Sequence, residues 1–343
     1  MLDQNHSGRE KEMSHERTAA YRKDPDKENL LEEMNCLLAP VNKDMISDFD
    51  APKEPTLFVI GAPRSATTLI HQILAQSGSF GYISNYIARF YRAPYIGALQ
   101  AKALDLTFKD NATYESNFGR TEGWHEPHQF NYYWKRWYQY DEDHQMKQEV
   151  IDAIPLDEFR KEIAALESVF KLPMVFKSLY CGLQIDFLKN ALPKSKFVLC
   201  TRDPLFQAQS ILKGRVAFFG TYDGWFSLKP QEYEQLSEMD AFHQVAGQIF
   251  FILNSIGKSL RKLDSNDFMI VDQQDLVEDT RAVITRLINL CGQVTDSNFI
   301  ESIPQSFENR NIQNLNDEEW IRLGDAIDHF FEGKPCKDVV LTK

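Results

Sequence analysis

The stretch "FVIGAPRSATTLIHQIL", Phe58–Leu74, decides the fold. It begins as an apolar run, breaks at Gly61 and Pro63, and resumes with apolar residues at helical spacing. That pattern is a strand, a tight loop and a helix. The loop Gly61–Thr68 nearly fits the nucleoside-triphosphate template G-x-x-x-x-G-K-[ST], but Ala66 stands where the second Gly belongs and Thr67 where the Lys belongs. Backbone amides at the start of a helix point outward unpaired, and the helix dipole adds positive potential, so the geometry suits a phosphate. Thr67 and Thr68 add hydroxyl donors, and Arg64 adds a permanent charge on a planar donor fork. The missing Lys and the lack of an evident acidic magnesium partner count against ATP hydrolysis. The bland alternative is a strand-turn-helix with a solvated Arg.

A second stretch, "FVLCTRDPLFQAQS" at Phe197–Ser210, weighs against that alternative. Arg202 ends a buried strand, and Ser210 lies eight residues on, inside a helix. An Arg at the carboxyl edge of a parallel sheet, with a hydroxyl beside it, makes a second anion corner. The competing reading is an Arg202–Asp203 surface pair, which is worth little.

Around these two stretches, short apolar strands at Pro173–Lys177, Phe197–Cys200 and Phe268–Val271 alternate with helices at Leu156–Val169, Cys181–Asn190, Phe206–Leu212, Asp240–Leu263 and Thr280–Leu290. The expected class is α/β, a P-loop-like three-layer fold whose central, mostly parallel sheet carries helices on both faces. Residues 1–54 read as a polar N-terminal segment and linker, disordered to about residue 18 and helical over Asp26–Leu38 up to Pro40; residues 55–343 read as one domain. Phe80–Ala112 reads as irregular helix and loop, and Glu122–Tyr140 as a dense aromatic patch that either stacks on an acceptor or packs on the sheet.

The chain's 343 residues carry a net charge of −12, which rules out bulk attraction to nucleic acid or anionic membrane and leaves room for a local basic pocket. Its five cysteines show no metal-ligand spacing and read as reduced thiols. No apolar segment is long enough for a leader or a span, so the expected location is cytoplasmic.

The two anion stretches together resemble the sulfotransferase family, whose donor is 3′-phosphoadenosine 5′-phosphosulfate. Gly61–Thr68 is similar to the family's 5′-phosphosulfate loop, usually P-[RK]-S-G-T-T, and Arg202–Ser210, as R-D-P-x-x-x-x-x-S, to its 3′-phosphate motif. The segment "IVDQQDLVEDTRAVITRLINLCG" is similar to the family's late strand-loop-helix, so the resemblance spans about Pro55–Gly292. It implies a donor site of Pro63, Arg64, Ser65, Ala66, Thr67, Thr68, Arg202 and Ser210, with Arg310 in "ENRNIQ" as the candidate third contact to the 3′-phosphate. It also implies that Arg64, helped by Lys177 in "FKSLYCG", steadies the departing phosphate; the donor is already activated, so no metal is required. The family's cytosolic members carry a base His two residues after that Lys; here the position is Leu179. Glu126 is the leading substitute base, followed by His128 and then His125. A zinc site at His125 and His128 is weak, because other ligands are lacking.

The implied partner is a hydroxyl-bearing acceptor, a small molecule or a glycan, and the sequence sets no oligomeric state. The alternatives are an ATP-dependent phosphotransferase and a non-catalytic nucleotide-binding module. Ala66 departs from the family's Gly and is expected to be already helical, where a methyl costs nothing.

Overall fold

The computed structural model describes residues 16–106 and 114–342. Most of the segment expected to be disordered (1–15), and the end of the irregular stretch (107–112), lie outside the described residues.

Five strands form one sheet: β1 (Leu57–Gly61), β2 (Gly81–Tyr82), β3 (Met174–Lys177), β4 (Lys196–Thr201) and β5 (Phe268–Asp272). Their order is β2-β3-β1-β4-β5, and every pairing is parallel. All five carboxyl ends therefore open on one edge, and the central pair β1 and β4 carries the two stretches singled out in the sequence. This is the α/β, P-loop-like fold with helices on both faces.

The longer helices are α1 (Pro25–Met45), α2 (Thr67–Gln76), α3 (Pro94–Ala103), α4 (Asn131–Tyr138), α5 (Leu156–Phe170), α6 (Pro204–Phe219), α7 (Ala241–Leu260), α8 (Thr280–Leu290) and α9 (Asp317–Phe331). Alternation along β1 separates two cores. Phe58 and Ile60 join a large cluster with residues of α4, α5, α6, α7 and α9, while Leu57 and Val59 join a smaller one with α2 and α8. A strand buried on both faces reads as a continuous apolar run, which is why β1 and β4 are legible at once.

The aromatic patch divides by helix face. Tyr133, Trp134, Trp137 and Tyr138 of α4 are buried in the large core, Trp134 lying edge-on to Phe58 with ring centroids 6.0 Å apart.

One helix runs further than expected. Pro40 sits inside α1, which continues to Met45. A proline there forgoes one backbone bond. Two buried asparagines on the same helix face offset that loss: Asn35 Oδ1 accepts from Arg92 N at 2.8 Å, and Asn42 Oδ1 accepts from Tyr95 N at 3.1 Å at the start of α3. Among the described residues no helix is long and apolar enough to cross a membrane.

Candidate active site

The site grows from the turn between β1 and α2. A Cβ on Gly61 would lie 2.6 Å from Ser65 Oγ and 2.7 Å from Cys200 O, so only glycine lets the loop fold back beside β4. Ser65 Oγ donates to Ala62 O at 2.8 Å, and Gln207 Nε2 of α6 donates to Pro63 O at 2.7 Å. These bonds tie the loop both to itself and to the neighbouring helix.

Ala66 corrects the sequence expectation. Its backbone lies at φ 69°, ψ 11°, in the left-handed region, and Arg64 also has a positive φ of 70°. The loop must curl before α2 starts at Thr67, and Ala66 takes the turn that a glycine would take freely. The conformation costs an L-residue roughly 1–2 kcal/mol.

At the end of β4, Asp203 caps α6 by accepting from Leu205 N at 2.9 Å, with Pro204 in the first turn. The Asp is thus occupied by the helix, and the Arg202–Asp203 surface pair does not form. Arg202 turns toward the loop instead. Its Nη1 donates to Arg64 O at 3.3 Å, its Nε to Asn311 Oδ1 at 2.8 Å, and its Nη2 to Arg310 O at 3.4 Å. Ser210 Oγ accepts from Arg64 Nε at 2.9 Å. Arg310, far off in sequence, is therefore brought beside Arg202, and its side chain lines the same cleft.

Lys177 ends β3 and is buried; burial, and after it the charge of Arg64, bring its ammonium down to about 7. Burial, then Arg202, lowers half-buried Arg64 to about 10. No carboxylate forms an ion pair with Arg64, Lys177 or Arg202 among the described residues. Three crowded cations with no ion-pairing carboxylate among the described residues favour a ligand that brings negative charge.

The candidate bases are placed differently. His128 lines the cleft, and burial, followed by the charges of Lys177 and Arg120, lowers its ring to about 4. Its Nδ1 accepts from Phe130 N at 2.8 Å, so the neutral ring keeps its proton on Nε2 and presents a donor. Glu126 is only 4% exposed, and its Oε2 accepts from Gln72 Nε2 at 3.2 Å. Gln72, Pro127 and His128 line the cleft, whereas Glu126, bonded to Gln72, is not among its lining residues. His125 is half-buried outside the cleft lining.

The cleft holds about 1670 Å³. The loop and Arg202 line it together with Tyr132, Tyr140, Tyr180 and Trp225. Sequence reading missed Gln207, Asn311 and Phe118, whose ring lies 5.3 Å from the Arg64 guanidinium carbon. Gln207 carried a faint signal, one turn before Ser210 on the same helix. Phe118 carried none, since only the fold brings it to the loop.

The profile of the sulfotransferase family matches residues 55–296. The chain belongs to the sulfotransferase family. No curated protein sequence matches this sulfotransferase. Among solved structures, sulfotransferase STF9 from Mycobacterium avium aligns over 86% of this chain and 80% of its own at 13% identity, with a TM-score of 0.55. STF1 from Mycobacterium tuberculosis H37Rv aligns over 88% and 82% at 16% identity, with a TM-score of 0.48. The sulfotransferase domain of the Synechococcus PCC 7002 olefin synthase aligns over 86% and 88% at 18% identity, with a TM-score of 0.41. At these identities STF9 speaks for the shared fold. The family match speaks for sulfuryl transfer to a hydroxyl-bearing acceptor in general.

Ala66→Gly relieves the left-handed turn and is expected to stabilise the protein by about 1 kcal/mol, read as a higher urea midpoint with unchanged slope. A midpoint at or below that of the parent would show that the methyl makes a contact worth more than the strain.

Proposed function

We propose that this sulfotransferase moves a sulfuryl group from 3′-phosphoadenosine 5′-phosphosulfate to a hydroxyl of a small-molecule or carbohydrate acceptor by in-line transfer. The observation that carries the reading is the pair of anion corners on adjacent strands: the loop after β1, and Arg202 with Ser210 and Arg310 after β4. A donor phosphorylated at both the 5′ and 3′ positions needs two such corners. The residues fit it, because they offer guanidinium, ammonium, amide and hydroxyl donors, and among the described residues none of the cations has an ion-pairing carboxylate.

In this reading the amides of residues 65–68 and the hydroxyls of Thr67 and Thr68 hold the 5′-phosphate at the start of α2. Arg202, Ser210 and Arg310 hold the 3′-phosphate. The bound donor supplies a sulfuryl group already activated by its bond to phosphate. Arg64 and Lys177 stabilise the negative charge that grows on the phosphate as that bond breaks. The His128 Nε2–H adds a neutral donor from the cleft wall. Glu126 takes the acceptor's proton, a role that requires the Gln72 side chain to turn aside as the acceptor enters; catalytic hydrogen bonds commonly tighten only in the substrate complex. The reaction takes place in the cytoplasm.

Adenosine 3′,5′-bisphosphate at about 100 times its dissociation constant should stabilise the protein by roughly 2.7 kcal/mol in a thermal shift, with ADP giving less. Arg202→Ala should weaken the bisphosphate by about 10–100-fold and leave 5′-AMP unchanged, since a charged hydrogen bond contributes about 1.5–3 kcal/mol. Stabilisation by ADP but not by the bisphosphate would sink the proposal.

Lys177 gives a pH signature. Its ammonium titrates at about 7 in the free protein, and a bound anion raises that value, so binding takes up a proton. Bisphosphate affinity is then greatest below pH 7 and falls as pH rises above it, by up to about tenfold per unit. Calorimetry across pH 6–9 measures this slope, which Lys177→Met should flatten.

Glu126→Gln should lower turnover about 100-fold or more while leaving bisphosphate affinity intact. Ordinary turnover in that variant would remove Glu126 from the chemistry.

A further inference from the structure

Residues 16–23 run as a short strap across the C-terminal end of α6. Thr18 N donates to Phe218 O at 2.8 Å, and Thr18 Oγ1 to Ala217 O at 2.8 Å. The Tyr21 ring stacks on Phe218 with centroids 3.8 Å apart and planes 23° from parallel. Over this two-ring platform lies the Arg120 guanidinium, 5.2 Å from the Tyr21 centroid and 5.0 Å from that of Phe218. Arg17, the residue before Thr18, is close enough for its charge to lower the ionisation of Arg120, behind the larger effect of burial. Both arginines line the cleft.

Neither Arg17 nor Arg120 has an ion-pair partner among the described residues. The carboxylates that share the cleft lining are Asp141, Glu142, Asp223, Glu238 and Glu308. Asp141 pairs with Lys147, and Asp223 accepts from Thr221 Oγ1 at 3.0 Å. The pair is also distinct from the 3′-phosphate corner: Phe218 lies eight residues beyond Ser210, about 12 Å along α6.

Phe118 joins the two regions. It packs edge-on to Phe218 with centroids 6.1 Å apart, and the Arg64 guanidinium lies over its ring. The turn that holds Phe118 and Arg120 is closed by Asn117 N to Arg120 O at 2.8 Å and Arg120 N to Asn117 O at 3.0 Å. A molecule whose hydroxyl reaches Arg64 would run along an apolar aromatic wall and end at two unpaired guanidiniums.

We propose that Arg17 and Arg120 form an anion-recognising pair at the acceptor end of the cleft, and that the acceptor is an aromatic or apolar hydroxyl compound carrying its own anionic group. This rests on the sulfotransferase reading and narrows its substrate class. The strap supplies half of the pair, so the N-terminal segment is part of the specificity apparatus.

The test uses two fluorescent probes of similar size, 8-anilinonaphthalene-1-sulfonate and neutral N-phenyl-1-naphthylamine, titrated into the full chain saturated with adenosine 3′,5′-bisphosphate. The bisphosphate occupies the donor cations, so what remains reports the acceptor end. The anionic probe should bind at least tenfold more tightly than the neutral one, and added salt should narrow the gap. Arg17→Ala/Arg120→Ala should abolish the gap and leave the neutral probe within about twofold. Arg17→Ala alone, which removes the half-buried guanidinium that the strap contributes to the cleft lining, should narrow it and leave the Tyr21–Phe218 platform in place. Equal affinities in the parent protein, or a gap that survives the double substitution, would overturn the proposal. Failure of the bisphosphate to bind would count against the donor reading instead, and the fall in anionic-probe affinity from the parent to Arg17→Ala/Arg120→Ala would still decide the arginine pair.

Discussion

Everything at the carboxyl edge follows from three cations placed where a folded chain would ordinarily avoid them. Arg64, Lys177 and Arg202 come from three different strand ends and lose water on folding, and after that burial Arg202 lowers the proton affinity of Arg64 and Arg64 that of Lys177. The fold tolerates the arrangement because β1 and β4 are rigid neighbours buried in two cores, and because oxygens of Ser210, Asn311 and the backbone satisfy the guanidinium donors. A protein that spends stability this way stores binding energy for a ligand of opposite charge.

The parts legible in the sequence were those with a local cause. Four of the five strands showed as apolar runs. The strand-loop-helix around Gly61 showed because glycine, proline and helical periodicity are all local signals, and the Asp203–Pro204 start of α6 showed for the same reason. The two-residue strand β2 is too short to have a period. The extension of α1 past Pro40 depends on asparagine bonds to backbone more than fifty residues away, which no window along the chain contains.

The site was legible to the same degree. Arg64, Arg202 and Ser210 lie in stretches with a shape of their own. Arg310 could be named only as a candidate, because its neighbourhood is made by Arg202 reaching across 108 residues. The candidate bases Glu126, His128 and His125 differ in burial and hydrogen bonding, which their letters do not show. These polar residues of one short segment look alike as letters and differ once Phe130 N donates to one ring and Gln72 Nε2 to one carboxylate. Ala66 shows the converse: the letter was read correctly and the backbone angle was not, because a residue's φ beside a helix start is set by the loop's need to curl.

The bond from Arg64 Nε to Ser210 Oγ has a consequence for discrimination between nucleotides. On the proposed assignment, each partner belongs to a different end of the donor, yet in the free protein each occupies the other. The Ser210 hydroxyl that accepts from Arg64 keeps its own hydrogen free to donate, so a 3′-phosphate bound there would share one serine with the guanidinium of the 5′ end. One hydroxyl thus couples the two ends of the proposed donor site, and a nucleotide lacking the 3′ group would meet only one of them.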